Sequence, residues 1–389
     1  MKRFHIGALL LDTLTVILGI SFVFSVIYAY TGQWPWGGND YNSYAIQARA
    51  WLGGRLDVDY YSWLELAVYE GKYYVSFPPF PSFVMLPFAV LFDKTPDHFI
   101  AVGSVFIGAF YCLRLLRHFG VRGNEAVFWV LFLFVGSNAL VTSFNGWVWH
   151  IAQNMAFTFS IISLYYAVKG RGALALAFLV CAAGCRPFQL IYTPLIFYIL
   201  LRQKKINPFI FLPPLLIGIA YMSLNYARFG SIFEFGHNYL PEFLEAEHGQ
   251  FGMAYVAENI GRMFRLPQLG ENGTLDFYHF DGVAFWLVSP IVVSYLIFYV
   301  NGFFKHTDKV LMLCLPLLSA FHIFLFCLHK TLGGWHFGNR YTNDMLPFLF
   351  FGLVCLLGVQ SEKIKRLQIP LFVFGLVLNV AGIITVYGR

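Results

Sequence analysis

The chain has 389 residues, of which 58% are hydrophobic and 12% charged, with a formal net charge of +6 and a mean hydropathy of +0.64. A soluble domain carries about 25% charged residues, so this composition excludes an ordinary soluble enzyme or binding module. Several apolar runs reach the roughly 20 residues that a spanning helix needs, and the chain reads as a polytopic membrane protein.

The first expected span is 6–30. It follows Lys2-Arg3, is too long for a signal-peptide core and is read as uncleaved, with Asp12 near its inner end. The stretch from Asn39 to Pro81 then carries Asp40, Asp57, Asp59, Glu65 and Glu70, which places it in water or at the bilayer surface. Its start reads as a short interfacial helix. Tyr44, Ala45, Ala48, Trp51 and Leu52 share one face, Asn39 or Asp40 caps it, and Gly53-Gly54 stops it.

Residues 81–92 resemble a span but are too short and hold Pro81 and Pro87, so they are read as not crossing. The remaining spans are expected at 98–116, 124–144, 147–168, 172–185, 187–201, 208–226, 282–304, 309–330, 344–360 and 368–387. That makes eleven crossings, with the N-terminus inside. Fifteen of the 26 lysines and arginines then fall in short cytoplasmic loops or tails, and 16 of the 20 acids fall outside, as the positive-inside rule requires. The expected fold is an all-α bundle forming one membrane domain, 1–389, with outer loops at 31–97 and 227–281.

The outer side also holds the NGWVWH turn (145–150), Arg186-Pro187 and GGWHFGNRYTND (333–344). The inner loops are short and basic, and no phosphate-binding glycine motif appears, so ATP-driven transport and nucleotide-sugar chemistry inside are not expected, nor is a nucleic-acid partner. The six cysteines lie in apolar runs and read as core residues. Asn272-Gly273-Thr274 is a formal glycosylation sequon. Aromatic residues make up 20% of the chain, more than interfacial belts require, and aromatic faces also stack on sugars and polyprenyl chains.

From the residues alone, several polar positions carry two readings each. Asp40 is either a helix cap or a general base. Lys72 is a headgroup-facing lysine or a phosphate ligand. Arg186, in an otherwise apolar segment, needs a partner or a ligand. Arg340 pairs with Asp344 or binds an anion. Asn145, His150, Gln153 and Asn154 cluster at the outer end of one span, with 150, 153 and 154 on one helical face; they make interhelical contacts or hydrogen-bond sugar hydroxyls. His237, Glu242, Glu245, Glu247 and His248 form a solvated acidic loop rather than a metal site. No metal is indicated, although a divalent ion is left open.

The order of these motifs resembles the GT-C superfamily of integral-membrane glycosyltransferases, in particular its bacterial polyprenyl-phosphate-sugar-dependent members, the protein mannosyltransferase and aminoarabinose transferase relatives. The resemblance is carried by Asn39-Asp40-Tyr41 with Gly53-Gly54, Gly71-Lys72-Tyr73-Tyr74, Pro78-Pro79 and Ala183-Gly184-Cys185-Arg186-Pro187. It continues through Asn225-Tyr226-Ala227-Arg228-Phe229-Gly230-Ser231 and Gly338-Asn339-Arg340-Tyr341. It implies a bundle with juxtamembrane helices in the first outer loop. It further implies inverting transfer of a monosaccharide from a polyprenyl-phosphate donor to a cell-envelope glycan, lipid or protein acceptor, at an active site facing the periplasm or exterior.

On that resemblance Asp40 is the catalytic base, and Lys72, Arg186 and Arg340 bind the donor phosphate. Tyr41, His150, Gln153, Asn154 and His336 contact sugar or acceptor. The family's usual acidic pair is replaced by Asn39-Asp40, which leaves Asp57 or Asp59 as a candidate second carboxylate. The alternative functions are a lipid-linked glycan transporter or flippase, which would need polar residues deep in the spans, and an envelope-glycan polymerase, which would not depend on Asp40.

Overall fold

The computed structural model describes residues 2–270 and 275–388, so the sequon lies outside the described residues. The chain opens with α1 (Lys2–Thr31), whose 30 residues exceed the hydrocarbon thickness. A polar segment follows, holding α2 (Ser43–Leu52), β1 (Leu66–Tyr69), β2 (Lys72–Val75) and α3 (Phe80–Leu91). The strands pair antiparallel, Leu66 opposite Val75 and Tyr69 opposite Lys72. Their turn, Glu70-Gly71, takes φ of +49° and +73°, the left-handed pair whose twist matches that of the strands.

Helices α4 (Asp97–His118), α5 (Gly123–Phe134), α6 (Ala139–Ser143), α7 (Val148–Val168) and α8 (Gly172–Ala183) come next. A 3-10 turn at Pro187–Tyr192 leads into α9 (Thr193–Arg202), and another at Pro208–Phe211 into α10 (Leu212–Phe229). The long loop that follows carries α11 (Pro241–Leu244), α12 (Val256–Phe264) and a minimal ladder of β3 (Gln268–Leu269) with β4 (Leu275–Asp276). The last part contains α13 (Phe285–Val288), α14 (Pro290–Gly302), α15 (Lys309–Leu328), a 3-10 turn at Arg340–Met345, α16 (Leu346–Leu356), α17 (Glu362–Arg366) and α18 (Gln368–Tyr387).

The result is an all-α bundle of an integral membrane protein. Among the described residues, seven helical segments are long and apolar enough to cross a bilayer. Five shorter ones, Phe80–Leu91, Gly123–Phe134, Gly172–Ala183, Pro187–Arg202 and Pro290–Gly302, are apolar but fall below that length. Eleven crossings therefore require all of these except Phe80–Leu91 to cross as well.

Several expected spans are broken. The run 124–144 splits into α5 and α6 at Gly136, where a Cβ would lie 2.6 Å from the Phe372 ring. The backbone groups freed there find partners, as a membrane interior demands: Asn138 N donates to Ser289 Oγ at 3.1 Å, and Asn343 Nδ2 donates to Asn138 O at 3.0 Å. Pro290 separates α13 from α14 in the same way, because it lacks the N–H that would continue the helix. Helix α2 begins after Asn42, not at Asn39 or Asp40. The Asn39 amide is drawn instead to Asp97 Oδ2 (3.2 Å) and Gly146 O (3.0 Å).

Burial separates the centre of the bundle from its rim. The spanning window of α7 is 89% buried, whereas that of α10 is 11%. This explains why α7 tolerates His150, Gln153, Asn154, Thr158, Ser160 and Ser163, all buried: they face neighbouring helices rather than lipid. The exposed leucines of α10, among them Leu212, Leu215 and Leu216, face the acyl chains.

One ion pair ties two ends of the bundle together. Arg117 Nη2, in the last turn of α4, donates to Asp12 Oδ2 at 2.6 Å, and Gly123 N donates to the same oxygen at 3.2 Å. The N-terminal part of α1 therefore lies beside the C-terminal end of α4, and the segment between these helices starts and finishes at the opposite end of the bundle. Helix α3 stays with that segment, since Ser82 Oγ donates to Gln47 Oε1 (2.7 Å) on α2.

Two predictions follow from this pairing. In intact cells, a cysteine at Lys72 should react with a membrane-impermeant thiol reagent and one at Arg122 should not; labelling of both would show an even number of crossings between them and overturn this arrangement. Both members of the pair are largely shielded, with side-chain exposures of 8% and 14%. Asp12→Asn or Arg117→Met should therefore cost about 3–5 kcal/mol of stability, the cost of stranding one buried charge. The double change should cost clearly less than the sum, as read from thermal unfolding in detergent.

Candidate functional site

A cavity of about 530 Å³ opens at the end of the bundle that carries the segment between α1 and α4. This is within the range of small-molecule sites. Its wall is assembled from distant parts of the chain: Tyr44 of α2, Glu65 before β1, Phe77-Pro78 after β2, and Trp149 and Ala152 of α7. Cys185 to Phe188, the 235–251 loop and the stretch from His329 to Tyr341 complete it. Aromatic and apolar side chains dominate, with a few charged groups set among them.

Two of these groups are cations. Arg186 follows the last turn of α8, and its Nε donates to Asp344 Oδ2 at 2.9 Å. The Asp344 carboxylate is 1% exposed and also accepts from Gln153 Nε2 at 2.8 Å, while its backbone carbonyl accepts from Gln189 Nε2 at 3.0 Å. Arg340 also lies against Tyr341. The guanidinium carbons of Arg186 and Arg340 lie 4.7 and 5.3 Å from that ring's centre. The sequence allowed an Arg340–Asp344 pair, but the structure gives Asp344 to Arg186.

Arg340 Nε and Nη2 both donate to Gly333 O. Gly333 has a φ of +116°, and a Cβ there would lie 3.0 Å from Tyr341 and 3.1 Å from Arg340, so only glycine lets this carbonyl turn onto the guanidinium. The remaining nitrogen, Nη1, is buried with no hydrogen-bond partner among the described residues. A guanidinium nitrogen without an acceptor is a donor still to be satisfied, and an anion is one acceptor that would suit it.

Two carboxylates line the same cavity. Glu65 Oε2 accepts from Trp149 Nε1 at 3.0 Å, and its backbone carbonyl accepts from Ser76 Oγ at 3.0 Å. Glu65 is an exposed residue of the cavity wall, and desolvation by the protein around it raises its pKa above the usual carboxylate value. The Trp149 hydrogen bond partly opposes that rise, Glu242 adds to it, and Arg340 lowers it. Burial likewise raises the pKa of Glu242, against a lowering by Lys330. Neither carboxylate forms an ion pair among the described residues. His237, also in the wall, is pushed down to about 4 by burial and is therefore neutral, with Nδ1 3.1 Å from Ser76 O.

The structure thus brings Arg186 and Arg340 together and leaves the other expected residues outside the wall. Asp40 is exposed, and its backbone carbonyl accepts from Trp63 Nε1 at 3.1 Å. Lys72 is exposed at the start of β2. Tyr41 packs on Trp147 and Trp149, with ring centres 5.9 and 5.3 Å apart. Buried His150 meets Asn145 Oδ1 at 2.7 Å, Asn154 Nδ2 donates to Thr142 O at 2.5 Å, and Gln153 braces Asp344. His336 is fully buried beside the wall. Asp57 and Asp59 both pair with Arg55, at 2.9 and 3.0 Å.

Glu65, Glu242 and His237 reach the cavity without having been singled out as site residues. The one local signal for Glu65 was a carboxylate set between Trp63-Leu64 and Leu66-Ala67 at the entry to a hairpin. Among the described residues, no group of three or more His, Cys, Asp or Glu is placed to hold a metal ion.

No family model and no curated protein sequence matches this chain. Its fold matches the crystal structure of ArnT from Cupriavidus metallidurans bound to undecaprenyl phosphate, with a TM-score of 0.55 and 14% identity over 91% of this chain and 62% of that one. The apo structure of the same protein matches with a TM-score of 0.51 and 13% identity over the same shares. The chain therefore spans less than two thirds of ArnT's length. Its fold is that of ArnT.

Proposed function

We propose that the protein is an inverting glycosyltransferase that moves a monosaccharide from a polyprenyl-phosphate donor to a cell-envelope glycan, lipid or protein on the outer face of the membrane. The observation that carries this reading is Arg340, a residue of the wall of an aromatic cavity whose buried Nη1 has no partner among the described residues. The donor phosphate takes that hydrogen bond, with Arg186 beside it as a second positive charge. As the bond from the anomeric carbon to the phosphate oxygen breaks, negative charge grows on the leaving lipid phosphate, and donors already fixed in place stabilise it without reorganising. The likeness to ArnT, whose structure holds undecaprenyl phosphate, supports a lipid of this class as the partner.

The remaining wall suits the other half of such a reaction. Trp149, Trp335 and Tyr341 offer aromatic faces to a sugar ring. Two carboxylates stand in the same cavity as the two cations, so a bound donor would place its phosphate and its anomeric carbon against chemically different walls.

Arg340→Ala should weaken binding of undecaprenyl phosphate by roughly 10- to 100-fold, the worth of a charge-assisted hydrogen bond. Arg340→Lys should recover only part of this, because an ammonium lacks the planar fork that puts Gly333 O and a phosphate on different nitrogens. Binding to the purified protein in detergent can be measured by native mass spectrometry. Unchanged affinity in Arg340→Ala would remove the phosphate site from this cavity.

A further inference from the structure

We propose that Glu65 is the general base of the transfer, held in place for that role by the indole of Trp149; the assignment rests on the glycosyltransferase reading above. Three observations point to it. Glu65 lines the cavity that contains the two arginines, whereas Asp40 does not. It is fixed at both ends, its backbone carbonyl by Ser76 Oγ and its carboxylate by Trp149 Nε1, two contacts from separate elements. It also forms no ion pair among the described residues although Arg340 is near enough to influence it electrostatically.

Glu65 shares that last feature with Glu242, but not with five other acids. Asp12, Asp57, Asp59, Asp281 and Asp344 are all neutralised by arginines. A carboxylate engaged by a guanidinium is a poor proton acceptor. One held by a neutral indole keeps its basicity, and crowding raises that basicity further. Only Oε2 is used by Trp149, which leaves Oε1 for the acceptor.

The step balances as follows. The acceptor hydroxyl gives its proton to Glu65 Oε1 as its oxygen attacks the anomeric carbon from the face opposite the phosphate. The new carbon–oxygen bond forms while the old one breaks, its electron pair leaves on the lipid phosphate, and the phosphate is held by Arg340 and Arg186. The sugar inverts at that carbon, and Glu65 then returns its proton to water.

The charged groups that act on Glu65 are Glu242 from the long loop and Arg340 from the stretch before α16; Arg186, His329 and the neutral His237 line the same cavity. Because the base must be ionised, kcat/KM should rise with pH through the elevated pKa of Glu65. The hydrogen bond from Trp149 stabilises the ionised form. Removing it should raise that pKa further and move the acid limb of the profile to higher pH.

The test uses the full-length protein in detergent, with a panel of short-chain polyprenyl-phosphate hexoses and pentoses as donors. Glu65→Gln, which keeps the shape and can still accept from Trp149, should bind undecaprenyl phosphate as the wild type does. It should consume the donor that the wild type selects 10²- to 10⁴-fold more slowly. Trp149→Phe, which keeps an aromatic face but loses the N–H, should show the acid limb displaced upward whatever its turnover at high pH. Turnover by Glu65→Gln within about threefold of wild type, or loss in Asp40→Asn but not in Glu65→Gln, would overturn the assignment and leave the transferase reading intact. An unmoved acid limb in Trp149→Phe would also overturn it. If the wild type consumes no donor in the panel, the transferase reading fails and the base assignment with it.

Discussion

The cavity depends on one buried carboxylate. Asp344 is almost fully shielded, yet it carries the charge-assisted hydrogen bond from Arg186 and the amide of Gln153 on its side chain, and its carbonyl receives Gln189. These contacts join α7, the 3-10 turn after α8 and the 3-10 turn before α16, three pieces of chain that no local sequence pattern connects. A buried pair of this kind contributes little net stability, because desolvation cancels most of the attraction, but losing one partner strands the other. The pair therefore works as a lock on geometry. It holds the α8 hinge against the Arg340 segment and so decides where both guanidinium groups point.

The lock has a consequence for charge. Asp344 neutralises Arg186 and leaves nothing for Arg340, whose guanidinium is held by one glycine carbonyl and the face of Tyr341. Glu65 and Glu242 occupy the same cavity and do not collapse onto it. In so small a volume, cations and carboxylates that remain unpaired must be kept apart by rigid supports. Gly333 supplies one support, through a backbone conformation that only glycine adopts easily, and the Glu70-Gly71 hairpin supplies another by fixing the strand that Glu65 enters. The separation is maintained at a cost in folding energy, as is usual where a site is shaped for a ligand rather than for stability.

Much of the fold was legible because membranes impose simple rules. Run length and hydropathy located the long helices, and two prolines in a short run kept Phe80–Leu91 with the polar segment. What the sequence could not show were the breaks at Gly136 and Pro290, since those depend on partners such as Ser289 and Asn343 that are remote in the chain. The site divided along the same line. Arg186 and Arg340 stood out as charges in apolar surroundings, which is a local property. Glu65 did not, because its character comes from Trp149, 84 positions away. His150, Gln153 and Asn154 shared a helical face, but periodicity cannot tell whether such a face meets a cavity or another helix. In this chain it meets other helices.

The relation between Asp40 and Glu65 follows from the same contacts. Trp63 donates its indole N–H to the Asp40 carbonyl and stands two residues before Glu65, while Tyr41, next to Asp40, packs on the ring of Trp149 that holds the Glu65 carboxylate. The Asn39-Asp40-Tyr41 segment is in turn anchored by Asn39 to Asp97 and Gly146. Asp40 therefore reaches the cavity through two tryptophans rather than through its own carboxylate. A side-chain change at Asp40 leaves the backbone carbonyl that Trp63 uses, whereas a change at Asn39 or Tyr41 acts on the shelf itself. The motif at the end of the first helix and the carboxylate at the hairpin are thus parts of one support. The physical division between them is that Asn39-Asp40-Tyr41 belongs to the support and Glu65 to the cavity wall.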